Sequence, residues 1–207
     1  MSLVTCLRPG MVVVDVGACV GGLSEQYRQT GADVWAIEPD PRCWPTLNEH
    51  LSNGRLLGMA VGDQEGALTL YRSRQPAHNS LAKANVLEPD DLTPLHVPLS
   101  TLDALQANGS LPPHIDAVKV DTQGAEYRIL RGAEQLCRTQ HPIWWVEFWP
   151  FGLMHAGSSI GELCELFAAY GYHPDGQTWA QVESRAILWE GHSATDLLLM
   201  TEQGVTL

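Results

Sequence analysis

The sequence predicts an α/β protein with a doubly wound, mostly parallel sheet. Short apolar runs rich in β-branched residues alternate along the chain with segments of helical periodicity, which is the pattern of repeated βαβ units. The first run, residues 11–16, leads directly into a turn that contains Gly17 and Gly21, as a strand that precedes a nucleotide site does. Three further apolar runs near the end of the chain, at 179–182, 186–189 and 197–200, predict strands that add an antiparallel edge.

The first two strands each lead into a helix. Residues 22–30 follow the glycine turn and end at Gly31, a residue that suits the left-handed conformation at a helix C-terminus. The second strand, residues 33–37, precedes a helix over residues 41–51 that opens with a proline, which is favoured in the first helical turn. The chain therefore begins as a βαβα unit.

A hairpin and a long irregular segment occupy the middle of the chain. The apolar runs 56–61 and 67–71 flank a short polar turn, and we expect them to pair with each other. Residues 72–98 are polar and rich in proline, and a segment of that length without its own secondary structure is often functional. We predict that 72–98 forms a flap or substrate loop over the site.

The second half resumes the alternation of strand and helix. Ser100 and Thr101 offer a cap for a short helix. Beyond it, periodicity and composition predict strands at 117–121 and 143–148 and helices at 125–137 and 160–170.

Composition fits one enzyme-sized domain over residues 1–207. A chain of 22.7 kDa with 44% hydrophobic residues can bury roughly 70% of the surface of its unfolded state. The net charge is −12, the calculated pI is about 4.9, and Lys and Arg form no block. Since binding a phosphate backbone requires a basic surface, we expect no nucleic acid partner.

Cysteine usage and hydropathy point to a soluble cytoplasmic protein. The five cysteines are odd in number and form no C-x-x-C pair, so neither a disulfide framework nor a thiolate metal site is expected. No apolar run approaches the length of a membrane span.

The first glycine turn favours S-adenosylmethionine over a dinucleotide. It lacks the G-x-G-x-x-G pattern that places a pyrophosphate on a helix N-terminus. Asp15 stands at the end of the strand instead, and a carboxylate there suits the cationic amino or sulfonium group. Glu38 ends the second strand, where an acid that binds ribose is expected. Asp121 and Glu147 end two more strands, so all four acids are expected at one edge of the sheet.

Several motifs, taken in order, resemble the FkbM-type methyltransferases. They are Val14 to Ala18, Glu38-Pro39, Ala60 to Asp63 with Gly66, Ser100 to Asp103, Val118 to Glu126 with Leu130 and Gly132-Ala133, and Val146-Glu147. The part from Lys119 to Glu126 is the most specific. Cys19-Val20 departs from the Asn-Ile pair that is usual after the Gly-Ala. The resemblance implies a Rossmann-like class I methyltransferase fold that uses S-adenosylmethionine.

Resemblance and chemistry together assign the cofactor residues. The acid of the first strand and the glycine turn are expected at the methionine end, Glu38 at the ribose hydroxyls, Asp63 at the adenine amino group, and Ser80 at a small polar position of the flap. The assigned residues are Asp15, Gly17, Ala18, Cys19, Gly21, Glu38, Pro39, Ala60, Asp63, Ser80 and Asp121.

For catalysis, Asp121 is the first candidate for the base that deprotonates the acceptor. Lys119, Glu126, Glu147 and His155 are the other candidates, and His78 and His96 in the flap compete with His155. Lys119 alternatively forms a buried ion pair with Asp121, since the two share one face of a strand. Asp121 with Glu126 or Glu147 offers oxygen ligands for Mg²⁺, an alternative that we do not favour because no compact acid cluster marks it.

The resemblance implies O-methylation of a hydroxyl, and we expect the acceptor to be a small molecule, natural product or carbohydrate. Three alternatives remain open: an N-methyltransferase of the same fold, an NAD-dependent oxidoreductase, and a catalytically degenerate domain that binds cofactor. Acceptor specificity is expected to reside in segment 72–98 and in the loop after Phe148.

Overall fold

A computed structural model describes residues 2–51, 55–80, 94–188 and 195–201. Its strands are β1 (Val12–Val16), β2 (Asp33–Ile37), β3 (Leu56–Leu57), β4 (Ala60–Val61), β5 (Gly66–Leu70), β6 (Leu95–Ser100), β7 (Ala117–Val120), β8 (Ile143–Phe148), β9 (His173–Pro174) and β10 (Thr195–Met200). Its helices are α1 (Leu3–Cys6), α2 (Gly22–Gln29), α3 (Trp44–His50), α4 (Leu102–Ala107), α5 (Glu126–Arg131), α6 (Glu134–Gln140), α7 (Pro150–His155), α8 (Ile160–Ala169) and α9 (Trp179–Leu188), with a 3-10 turn at Pro76–His78.

Seven strands form the main sheet, in the order β3-β2-β1-β7-β8-β10-β9. The five strands from β3 to β8 are mutually parallel, and β10 runs antiparallel to both of its neighbours. The predicted α/β class with a mostly parallel sheet is confirmed. The antiparallel strand lies one place in from the edge, because the two-residue β9 covers its outer side. Strand order reverses between β1 and β7, and ligands bind at such a point in α/β sheets.

Helices cover both faces of this sheet. Val13 on β1 packs into a cluster with residues of α1, α2 and α3, whereas its neighbours Val14 and Val16 pack into a larger cluster with α5, α6 and α8. Trp144 on β8 is 1% exposed and meets Phe167 edge to face at 5.8 Å. Strands covered on both faces read as continuous apolar runs, which is why these strands were predictable.

The predicted hairpin between 56–61 and 67–71 is wrong. The first run divides into β3, which joins the main sheet beside β2, and β4, which pairs in parallel with β6. β5 also pairs with β6, so a separate sheet has the order β4-β6-β5. Gly58 separates the two strands, and a Cβ there would meet the Trp44 ring at 2.5 Å.

Only part of the predicted flap over residues 72–98 can be described, because residues 81–93 lie outside the described residues. Residues 95–98 belong to β6 rather than to a flap. Val97 and Leu99 are buried while His96 and Pro98 are exposed, which is the alternation of a strand with one buried face. Because prolines and polar residues surround this alternation, the sequence did not predict a strand here.

The single helix predicted over 125–137 is two helices, α5 and α6. The break comes at Gly132, where a Cβ would lie 2.0 Å from the carbonyl oxygen of Gly62. The carboxylate of Asp103 accepts hydrogen bonds from the backbone N–H groups of Gln135 and Leu136, both at 2.9 Å. A side chain from another segment therefore caps the start of α6.

The tail contains one helix in place of two of its three predicted strands. Residues 179–188 form α9, and Trp189 lies outside the described residues. Thr178 and Gln181 exchange hydrogen bonds as in a capping box, Val182 is buried, and Trp179 stacks on Phe167. The third predicted strand, 197–200, is present within β10.

The helices that cover the sheet are short. The longest in the described part of the chain, α8 and α9, have ten residues each. None of the described helices has the length and apolar character to cross a membrane.

Candidate cofactor and acceptor site

A cleft opens at the carboxyl ends of β1, β2 and β7, where the strand order reverses. The space between its walls is about 660 Å³, a volume that includes open solvent. Of the residues assigned from the sequence, those in its wall are Gly17, Cys19, Glu38, Pro39, Ala60 and Asp121. The sequence reasoning did not find several other wall residues, among them Met59, Val61, Leu70, Pro76, Asn79 and Gln123.

Backbone conformation shapes the glycine turn at the centre of the cleft. Gly17 has a φ of +73°, and a Cβ at this position would lie 2.1 Å from the carbonyl oxygen of Asp121. Cys19 also has a positive φ, +50°, a conformation in which asparagine is enriched and cysteine uncommon. This conformation gives a physical reason for the asparagine usual at that place. Gly21, in turn, is the left-handed N-cap of α2, and Ala18 is buried beneath the turn.

Asp15 lies behind the turn and not in the cleft wall. Its side chain is fully buried, with Oδ2 accepting a 2.5 Å hydrogen bond from Ser24 Oγ and Oδ1 lying 3.0 Å from Lys119 Nζ. Asp15 and Lys119 are direct partners in the register of β1 and β7. The buried ion pair predicted for Lys119 therefore has Asp15 as its closest carboxylate, while Asp121 Oδ2 lies at 4.0 Å.

Lys119 is placed to hold the turn as a cation. Its Nζ donates to the carbonyl oxygens of Gly17 at 2.7 Å and Val16 at 3.3 Å, and the residue is 3% exposed. Burial alone would lower the pKa of Lys119, but the charges of Asp15 and Asp121 outweigh it and keep the pKa above its usual value. A protonated amine that donates to carbonyl groups does not act as a base.

Glu38 presents a carboxyl group to the opposite side of the turn. Its Oε2 accepts from the backbone N–H of Cys19 and its Oε1 from that of Asp40, both at 2.8 Å. Burial raises the pKa of Glu38 to about 7, although these two hydrogen bonds act in the opposite direction. The group therefore titrates near neutral pH while lining the cleft.

Gln123 links two carboxyl groups at the other end of the cleft. Its Nε2 lies 3.3 Å from Asp121 Oδ1 and 3.2 Å from Glu147 Oε2. Burial, followed by the charges of Asp121 and Glu126, raises the pKa of Glu147 to about 9, so this carboxyl is neutral at pH 7. Gln123 has a φ of +58°, a strained conformation for a residue other than glycine and one that is often found at functional sites.

Glu126 fixes the loop that carries Gln123. Its Oε1 accepts from the backbone N–H and the hydroxyl of Thr122, at 3.0 and 2.9 Å, and from Gly124 N–H at 3.2 Å. The side chain is buried, and this burial raises the pKa of Glu126 above its usual value. These contacts orient the loop from beneath.

Besides Asp15, Ala18 and Gly21, two more residues assigned to the cofactor, Asp63 and Ser80, lie outside the wall of the cleft. Asp63 forms an ion pair at 3.5 Å with Arg131, on the surface between the small sheet and α5. Ser80 is 1% exposed and donates a 2.9 Å hydrogen bond to the carbonyl oxygen of Gln123. Ser80 thus supports the loop that carries Gln123.

Two of the histidine candidates, His155 and His96, do not line the cleft. Proline at the first position of α7 starts a helix where a loop was expected, and His155 Nδ1 donates to Phe151 O within that helix at 2.9 Å. His96 is exposed on β6 beside Thr69. The side chain of His78 lies outside the described part of the structure. Within residues 2–51, 55–80, 94–188 and 195–201, no group of three or more His, Cys, Asp or Glu side chains is arranged to hold a metal ion.

Comparisons with known proteins agree on a family and a fold. The model of the methyltransferase FkbM domain family matches residues 15–174. Among solved structures, a methyltransferase FkbM from Methylobacillus flagellatus KT aligns with 93% of this chain at 15% identity and a TM-score of 0.57, and the chain spans 44% of that protein's length. No curated protein sequence matches the chain.

Two further solved structures share the fold. Magnesium protoporphyrin IX methyltransferase from Synechocystis PCC 6803, described with bound SAM, has 14% identity, coverage of 97% of this chain and 74% of its own, and a TM-score of 0.50. The fibrillarin pre-rRNA processing protein of Methanococcus jannaschii has 11% identity, coverage of 94% and 68%, and a TM-score of 0.50.

Proposed function

The chain belongs to the FkbM methyltransferase family, and we propose that it transfers a methyl group from S-adenosylmethionine to a hydroxyl of a small molecule, natural product or carbohydrate. The observation that carries the proposal is the cleft at the reversal of strand order, with Glu38 on one side of the Gly17 turn and Asp121 on the other. This arrangement separates a binding carboxyl group from a reacting one.

The chemistry of the cleft fits the cofactor. Ribose hydroxyls are donors, and the Glu38 carboxyl, held by two backbone N–H groups, offers them acceptor oxygens. Met59, Val61 and Leu70 provide apolar surface for an adenine ring beyond it. Gly17 packs so closely on β7 that a Cβ would lie 2.1 Å from the Asp121 carbonyl oxygen, and we place the methionine end beside this contact between the turn and Asp121. The Synechocystis methyltransferase, which shares this fold, has a crystal structure with bound SAM.

In this proposal, Asp121 is the general base. When bound, S-adenosylmethionine supplies a methyl group already activated on a sulfonium, so alignment of the acceptor provides much of the rate. Asp121 orients the acceptor hydroxyl and takes its proton as the oxygen–carbon bond forms and the sulfur–carbon bond breaks. Gln123 Nε2 donates to Asp121 Oδ1 at 3.3 Å, and the charged Nζ of Lys119 lies 4.0 Å from Oδ2. Both act as positioning residues.

N-methylation is the second candidate, because carboxyl groups gather at the acceptor end. Asp196 on β10 lies directly opposite Glu147 on β8, and burial, followed by the charge of Asp121, raises the pKa of both. A cationic amine beside these carboxyl groups would favour their ionised forms, so the group suits an amine acceptor. The net charge of −12 supports a small acceptor of either kind over nucleic acid.

Binding and turnover test the proposal separately. S-adenosylhomocysteine at about 100 times its Kd should stabilise the protein by about 2.7 kcal/mol, whereas NAD should not. If NAD stabilises the protein and S-adenosylhomocysteine does not, the oxidoreductase alternative replaces the proposal.

Turnover is tested with methyl-labelled S-adenosylmethionine and a metabolite extract of the source organism, by mass spectrometry of the labelled product. Asp121→Asn should lower the rate by about a hundredfold or more while S-adenosylhomocysteine still binds. Asp33→Asn is the matched control, since Asp33 begins β2 at the opposite end of the sheet and forms a half-buried ion pair with Arg55. An unchanged rate in Asp121→Asn contradicts the role of Asp121. Binding without any labelled product supports the degenerate alternative.

A further inference from the structure

A ten-residue segment after β5 forms part of the outer wall of the cleft. We refer to residues 71–80 as the strap. Its ends, Tyr71 and Ser80, pair as an antiparallel bridge with N–H to O distances of 2.9 and 3.1 Å. Between them, Pro76, Ala77 and Asn79 line the cleft. Because the strap shares this wall with Met59 and Leu70, it borders the half of the cleft proposed for adenosine.

The strap is fixed to the rest of the protein through a buried carboxylate, that of Asp40. Asp40 is fully buried, and its Oδ2 accepts from Arg42 Nη2 at 2.6 Å, Arg42 Nε at 2.9 Å and Asn79 Nδ2 at 2.7 Å. Burial alone would raise the pKa of Asp40, but the hydrogen bonds from Arg42 and Asn79 outweigh it and keep the pKa below its usual value. The carboxylate is therefore ionised, and buried hydrogen bonds to a charge are the stronger kind.

Asn79 and Arg42 complete the network on the strap itself. Asn79 Oδ1 accepts from the backbone N–H of Ser73 at 2.8 Å and from Arg42 Nη2 at 3.3 Å. The same Arg42 nitrogen donates to the carbonyl oxygen of Ser73 at 3.0 Å. The two sides of the strap are thus joined to each other and to Asp40.

This network connects directly to both ends of the candidate site. The backbone N–H of Asp40 donates to Glu38 Oε1 at 2.8 Å, on the side proposed for ribose. At the end of the strap, Ser80 Oγ donates to the carbonyl oxygen of Gln123, on the side proposed for the acceptor. The strap therefore spans the cleft between a cofactor residue and an acceptor residue.

We infer that Asp40, Arg42 and Asn79 are positioning residues for the cofactor, which hold the strap in the conformation that closes the adenosine half of the cleft. The inference rests on the proposed function. If the strap is released from Asp40, only a fraction of the free protein molecules have it in the ordered conformation that binds the ligand. The apparent Kd then equals the intrinsic Kd divided by that fraction.

The test measures the Kd and the dissociation rate of S-adenosylhomocysteine, and the Kd of adenosine, for the full chain. If the released strap is ordered about a tenth of the time, Arg42→Ala and Asn79→Ala each raise both Kd values about tenfold. The dissociation rate of S-adenosylhomocysteine rises in both variants. The double variant loses little more than either single one, because each change already releases the strap. Arg74→Ala is the matched control, since Arg74 is an exposed arginine of the same strap and should leave both Kd values unchanged.

The outcomes separate the inference from the proposed function. Kd values of Arg42→Ala and Asn79→Ala equal to those of the wild type, even with a lower Tm, overturn the inference, because a role in stability alone does not alter the Kd of the folded protein. Where either variant fails to fold, Arg42→Lys decides: it keeps the charge but loses the planar fork and is expected to bind more weakly than the wild type. A wild-type protein that does not bind S-adenosylhomocysteine overturns the proposed function itself.

Discussion

Lys119 and Asp15 form a buried ion pair across the two central strands, with 3.0 Å between Nζ and Oδ1. The pair lies directly under the glycine turn, since Lys119 also donates to the carbonyl oxygens of Val16 and Gly17. The Lys119 ammonium thus contacts the turn on its buried side, and the cleft lies on its other side. This arrangement supports both stability and the placement of the turn.

Replacing Lys119 by methionine should destabilise the protein strongly. Loss of one partner leaves the Asp15 carboxylate buried without its counter-charge, a change that costs about 3–5 kcal/mol in buried pairs. The free energy of unfolding in urea measures it. Adding Asp15→Asn to Lys119→Met should recover part of the loss, because the uncompensated charge is removed. Wild-type stability in Lys119→Met would show that the pair carries no such energy.

Gly17→Ala should cost more than the same change at another glycine with positive φ. At Gly17 a Cβ would lie 2.1 Å from the Asp121 carbonyl oxygen, whereas Gly10, at φ +86°, has no atom within 4 Å of that position. Gly10→Ala therefore measures backbone strain alone, about 1–3 kcal/mol. Thermal unfolding of the two variants should show the larger decrease in Tm for Gly17→Ala, together with loss of S-adenosylhomocysteine binding. Equal decreases would indicate that the turn can move away from β7.

The affinity for S-adenosylhomocysteine should increase as the pH rises through about 7. The pKa of Glu38 is about 7 in the folded protein, so the carboxyl is protonated below that pH and is a poorer acceptor for ribose hydroxyls. Calorimetric titration from pH 6 to pH 8 measures the change. Glu38→Gln removes the titrating group and should bind weakly with a flat profile, apart from the titration of the ligand itself. A profile that is the same in both proteins would exclude Glu38 as its source.

Glu147→Gln should stabilise the protein, and more at pH 8 than at pH 5. Because the folded-state pKa of about 9 exceeds the value of about 4.3 in an unfolded chain, the folded state binds more protons between these values. Stability from this group is therefore present at low pH and falls as the pH rises from about 4.3 towards 9. Glutamine resembles the neutral carboxyl group and does not titrate, so the stability of the variant does not decrease with pH through this group. Equal Tm differences at the two pH values would contradict the raised pKa.

Burial on both faces explains which strands could be predicted from the sequence. β1, β2 and β8 read as apolar runs with clear ends, and the structure has them at the expected places. The pairing of β4 and β5 with β6 could not be predicted, because it depends on contacts between segments distant in sequence. Likewise, the end of α5 at Gly132 depends on the approach of Gly62.

The candidate site shows the same division between local and distant information. Acids at the ends of parallel strands could be placed near one edge of the sheet from their positions alone. Their positions alone could not predict whether each side chain faces the cleft or the interior. In the structure, Asp15 faces the interior while Glu38 lies in the wall. Gln123 was not assigned from the sequence, although it lies in the 119–126 motif, three residues after β7 and directly before Gly124. The hydrogen bond between Asp40 and Asn79 could not be predicted from a local sequence pattern, since the two residues come from segments that are distant in sequence.

The position of β10 has a consequence for how the chain folds. β8 carries Glu147, and its second neighbour in the sheet comes from Thr195–Met200, far along the sequence. Until those residues are available, one side of β8 is an open edge with apolar side chains such as Trp144 and Val146, which can pair with other chains. Contacts between distant segments also slow folding. Production of this protein should therefore be sensitive to truncation between the end of β8 and the start of β10, and such truncated chains should aggregate even though the described residues in the wall of the cleft are all present.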